Sequence, residues 1–94
     1  MSNPQTQMQM EWEKEALEKF NALIERIPLF HRQIAYKVVV KGAEVNAQER
    51  QSKCVEEQDI MKAFYSEVPP AFYSLMIKLL GDVGFDYKKY EPSQ

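Results

Sequence analysis

One cysteine, one histidine, one tryptophan and three glycines are all that this chain of 94 residues contains of those types. A single cysteine excludes an internal disulfide, and one histidine beside it excludes a Cys/His zinc cluster; a reducing, cytoplasmic location is expected. The same scarcity leaves no Ser-His-Asp or Cys-His set of any specificity. Too few glycines are present for a phosphate-cradling loop, and Gly81 and Gly84 follow no strand pattern. No apolar run approaches the length of a membrane span, and no charged-then-apolar leader appears. A strong charge of either sign is also missing. The net charge is −2 and the isoelectric point about 5.4, far from the basic footprint of nucleic-acid-binding domains. The expectation is a chain with no catalytic residue, no metal ligand and no cofactor of its own, and no membrane association.

What is present is ordinary for one soluble globular domain: 45% apolar and 28% charged residues. A core this small is marginal, so dimerisation or docking onto a larger partner is expected. The charge is unevenly spread. Residues 26–53 carry Arg26, Arg32, Lys37, Lys41, Arg50 and Lys53 against Glu44 and Glu49, a balance of +4, while residues 1–25 and 54–94 each sum to −3. Pairing of the basic centre with its acidic flanks is the first reading of those charges, and a small anionic ligand the second. The residues expected to receive such a ligand or partner are Arg32, Lys37, Lys41 and Arg50, although they do not share one face.

The fold expected is all-α: a small four-helix domain with a long central helix, a disordered N-terminal arm over residues 1–10 and an aromatic C-terminal tail. Residues 11–94 form the single domain. The central helix runs from about Phe30 to Lys53. Gln33, Lys37, Lys41, Glu44, Gln48 and Gln51 fall on one narrow stripe at 100° per residue, and the rest of the first half is apolar or small. This predicts a helix wet on one stripe and enclosed elsewhere. Gly42 marks a close crossing with a neighbouring backbone. At the far end Asn46, Glu49 and Arg50 are solvated, line a pocket, or are held in an inter-helix salt bridge.

Before it, Trp12, Ala16, Phe20, Leu23 and Ile27 recur at helical spacing, which predicts a helix over Glu11–Arg26 with Trp12 as a core anchor. Pro28 stops it. After the central helix, Val55 and Ile60 have the spacing of a hydrophobic staple around an acidic helix start. Pro69-Pro70 divides this helix from a last one carrying Phe72, Leu75, Met76, Leu79 and Leu80, with Gly81 as its cap. Phe85, Tyr87 and Tyr90 then form a strap over the helices or a docking segment. His31 is expected at the surface and Cys54 as a structural residue.

Trp12, Glu15-Ala16, Ile27-Pro28, Phe30, Arg32, Glu44, Ala47 and Val55 together form a pattern. It resembles the PCP-reductase domain, the small C-terminal domain carried by one of the subunits of light-independent protochlorophyllide reductase. The resemblance covers about residues 11–64, and its most specific part is the I-P-x-F-x-R run from Ile27 to Arg32. Two departures stand out: Gln33 and Ala35 occupy positions where the family has further arginines, and the last helix and tail extend beyond the domain. The resemblance implies a free-standing helical accessory module of an oxidoreductase. Such a module would dock on a redox or reductase partner, or bind an anionic tetrapyrrole-like ligand, without catalysing anything alone. A looser likeness to the histone fold, in the long helix followed by Val55 to Ile60, implies a DNA-binding homodimer, which the acidic balance disfavours. A purely structural protein-interaction subunit is the third reading.

Overall fold

The computed structural model describes residues 8–90. Its elements are a short strand β1 (Glu11–Trp12), helix α1 (Lys14–Arg26), helix α2 (Leu29–Glu49), a short strand β2 (Cys54–Val55), helix α3 (Glu57–Glu67), one 3-10 turn (Pro70–Phe72) and helix α4 (Tyr73–Asp82). The protein is an all-α, four-helix domain built around α2, its longest helix at 21 residues. No helix among the described residues is long and apolar enough to cross a membrane.

Helix α1 starts three residues later than its apolar spacing implies. Glu11 and Trp12 pair in parallel with Cys54 and Val55, and the Glu13 amide donates to the Val55 carbonyl at 2.8 Å. Glu13 then caps the helix, its carboxylate accepting from the Ala16 amide at 2.8 Å. Ala16, Phe20, Leu23 and Ile24 form the buried face. Ile27 is extended ahead of Pro28, as the proline requires, and α2 begins at once.

The enclosure expected for α2 holds on one side only. Val39, Val40, Ala43 and Ala47 are buried against the other helices. Gly42 faces α3 so closely that an added Cβ would lie 3.1 Å from the Ala63 Cβ, which accounts for a glycine in mid-helix. Ile34, Val38 and Val45 are exposed, contrary to the single wet stripe. Glu44, expected on that stripe, is buried. The reason is geometric: helices of 13, 11 and 10 residues do not surround one of 21, and the side they leave open carries apolar residues.

Both ends of the α2–α3 unit are fixed by local rules. Gln51 adopts a left-handed conformation (φ 62°), and the amides of Gln51 and Ser52 donate back to Gln48 and Ala47, each at 2.9 Å. Helix α3 opens with a capping box: the Glu56 amide donates to Asp59 Oδ2 at 2.9 Å, while Val55 and Ile60 are both fully buried across the helix start.

At the end of α4 the glycine cap is Gly84 (φ 97°) and not Gly81, because the helix continues to Asp82. The Phe85 amide donates to Leu80 at 3.0 Å and its ring is buried beside that residue's turn. The aromatic tail is pinned as a turn and is not an extended strap. Tyr65 donates its hydroxyl to the Tyr87 carbonyl at 3.2 Å, and the Asp86 amide donates to Glu57 at 3.2 Å. Most of the arm expected over residues 1–10 lies outside the described residues. Met8 and Met10 pack against the core, so the chain is already held at residue 8.

Candidate interaction face

Helix α2 has an inner edge made of hydrogen bonds and an outer face made of unpartnered side chains. On the inner edge, Glu44 Oε2 accepts from three donors at once: the Gln9 amide at 2.9 Å, the Met10 amide at 3.2 Å and the Trp12 indole at 2.9 Å. A buried carboxylate needs such partners. Trp12 in turn packs on Phe20, with ring centroids 5.2 Å apart. The residues of the β1 segment therefore cover Glu44, and the acid that spacing assigned to water is inside.

Further along, Arg50 makes a two-pronged contact with Asp59, Nε to Oδ1 at 2.8 Å and Nη2 to Oδ2 at 2.7 Å, and reaches Glu56 at 3.5 Å. That hydrogen bond, with the charges of Asp59 and Glu56, raises the Arg50 guanidinium above its ordinary value. Asn46 donates to the Asp59 carbonyl at 3.0 Å. Of the three readings for this end of α2, the inter-helix salt bridge describes Arg50, and Asn46 bonds the same Asp59; Glu49 is exposed.

Arg32 is engaged as well. Its guanidinium donates to the carbonyls of Ile27 (3.1 Å from Nη2) and Glu25 (2.9 Å), the unsatisfied carbonyls at the end of α1. Lys37 and Lys41 differ from both arginines. They are exposed, and no ion pair among the described residues includes either. The four cations named from sequence thus divide into two that hold the fold and two that face solvent.

Lys41 lies within a row of exposed apolar residues and Lys37 borders it. Phe30 is 80% exposed, Ile34 66%, Val45 40% and Val38 38%; Leu29, 73% exposed, lies at the helix start about 100° around from Phe30 and outside the row. Phe30, Ile34, Val38, Lys41 and Val45 are separated by four, four, three and four residues, which confines them to an arc of about 80°. The His31 ring lies against Phe30 at 4.3 Å between centroids. Leu29, Ile34, Val38 and Val45 were not singled out from sequence as functional. The signal that could have found them was the length of α2 against the lengths of its neighbours.

No family model, no curated protein and no solved structure matches this chain. Its function has to be read from this face and from what the remaining surface can do. Among the described residues no three His, Cys, Asp or Glu side chains converge on a metal-sized site. Cys54 is half-buried, its Sγ 4.0 Å from a Glu56 carboxylate oxygen. An open cleft of about 450 Å³ is lined by Gln58, Lys62, Tyr65, Ser66 and Tyr90. Ser66 there donates its hydroxyl to the Ala63 carbonyl at 3.2 Å, and Lys62 is the one charged residue of the lining.

Proposed function

We propose that this chain is a non-catalytic docking module that attaches to a protein partner through the outward face of α2. The observation that carries this is the row Phe30, Ile34, Val38 and Val45, left in water by a domain that buries Val39, Val40, Ala43 and Ala47 on the opposite side of the same helix. Large apolar side chains gathered on one exposed face mark interaction sites. The cytoplasmic location expected from cysteine usage belongs to this reading.

The resemblance to the PCP-reductase domain gives this proposal a finer form, in which the partner is a reductase subunit. Some of the residues behind it meet in two groups, Trp12 with Glu44 and Val55, and Arg32 with Ile27, while Phe30 is exposed. They build the joint between α1, α2 and β2, so what the resemblance supports is a shared architecture. The anionic tetrapyrrole has less support, since Arg32 and Arg50 are occupied and Lys37 and Lys41 stand on a convex surface. A histone-like DNA complex is disfavoured by the net charge of −2.

The test is reciprocal capture in the native host. A partner recovered with the tagged chain should recover this chain when tagged itself, and Ile34→Asp should abolish both while Lys62→Asp on α3 leaves both intact. Capture that survives Ile34→Asp removes the proposal. Protoporphyrin titration and a low-salt gel shift check the tetrapyrrole and DNA readings directly.

A further inference from the structure

Resting on the docking reading above, we infer that the occupant of the α2 face is a single amphipathic helix of another protein, apolar along one stripe and flanked by aspartate or glutamate. Three features of the face define that chemistry.

Its shape is one helix wide. From Phe30 to Val45 the row spans 16 residues, roughly 22 Å at helical rise. A strip of that length and a single helix's width is the footprint of one helix of about four turns, well short of the roughly 800 Å² that each partner gives to a stable whole-domain interface. A helix laid in such contact is anchored by residues three and four apart, the spacing the row already has.

The charges inside it are of one sign. Lys41 sits inside the row, between Val38 and Val45, and Lys37 borders it. The acids stand at its margins or inside the fold: Glu44 is buried under Trp12, Glu49 is exposed one turn past Val45, and Glu67 of α3 lies beside Gly42 at one edge. Lys37 and Lys41 are in no ion pair among the described residues, so both are open to carboxylates of another chain. Their alkyl stems can lie along the apolar residues while each ammonium meets a carboxylate at the rim.

A second copy of this chain fits poorly. Two α2 helices packed about a twofold axis would bring Ile34 of one onto Lys41 of the other, and four lysines together with no acid among them. Helix α1 of another copy supplies exposed Glu15, Glu18 and Glu25 but no exposed large apolar residue. Helix α4 exposes Leu75, with Lys78 beside it and a single acid, Asp82. No other described helix of the chain combines acids with an unburied apolar stripe.

The experiment uses two labelled helical peptides of 18 residues with the same leucine stripe, one flanked by glutamate and one by lysine. Amide chemical shifts of the full-length protein map where each binds, and fluorescence anisotropy gives the affinity. The glutamate peptide should bind at least tenfold more tightly than the lysine peptide and shift the amides of residues 30–45. The pair Lys37→Glu with Lys41→Glu should reverse that preference without changing the circular dichroism of the protein. Equal binding of the two peptides, or shifts confined to other residues, overturns the inference. So does self-association in sedimentation that Ile34→Asp abolishes, or tighter binding to vesicles of phosphatidylglycerol than to the glutamate peptide. If reciprocal capture depends on Ile34 while the peptides show no preference, the docking module stands and only the chemistry assigned to its partner falls.

Discussion

The two faces of α2 are built from similar residues and put to opposite use. Towards α3 and the β1 segment, the helix is fixed by shape and by hydrogen bonds: Gly42 against Ala63, Glu44 beneath Trp12, Arg50 on Asp59. Away from them, Phe30, Ile34 and Val38 touch little and are held only by the helix itself. Hydrophobicity does not separate the two, since valine occurs on both. What separates them is whether the rest of the domain is long enough to reach. A side chain's role in this molecule is set by what packs over it.

Substitutions on the inner face should be costly and those on the outer face nearly silent in urea unfolding, and the contrast orders the expected effects. Asp59→Ala should be the most damaging, because it breaks the α3 capping box and the Arg50 contact together. Arg50 is exposed and is left solvated, so the loss comes chiefly from the cap and from the buried acceptor that joins α2 to α3. Glu44→Ala strands the Trp12 indole and two amides and should lower stability by about 2 kcal/mol. Trp12 is the single tryptophan, so its emission should move to the red in the folded protein, and an unchanged spectrum would mean the arm does not depend on Glu44.

Gly42→Val drives a branched side chain into Ala63 and should cost about 1–2 kcal/mol. Gln51→Gly relieves a left-handed residue and should stabilise by about 0.5–1 kcal/mol, the only change of the set with that sign. Ile34→Asn, on the outer face, should stay within about 0.5 kcal/mol of the parent while weakening partner capture. A large loss of stability there would show that the outer face belongs to the fold, and the comparison would collapse.

Sequence made the architecture legible where the cause was local. Pro28 ends α1, Pro69-Pro70 divides α3 from α4, and Val55 with Ile60 brackets the start of α3 as their spacing requires. Gly42 was readable as a crossing point because a mid-helix glycine needs a reason. The misreadings arose where the cause was distant in the chain. Glu11–Trp12 leaves the helical pattern because Cys54–Val55 offers it a partner from beyond two helices. Glu44 keeps wet-stripe spacing yet is buried, because the segment covering it comes from outside the helix. The outer face was hidden for a different reason. A helix apolar nearly all round reads as enclosed, and periodicity cannot say whether the enclosing atoms belong to the same chain.

The parallel pairing of β1 with β2 also bears on how the protein is born. While the ribosome is still making α2, Trp12 and Glu11 have no strand to join, and α3 does not yet exist to cover Val39 and Val40. Throughout that interval the nascent helix shows greasy residues on both sides, and only synthesis past Glu67, the end of α3, lets one side close. Translation speed over the second half of the message, and chaperone occupancy during it, should therefore govern how much of this protein a cell recovers in usable form.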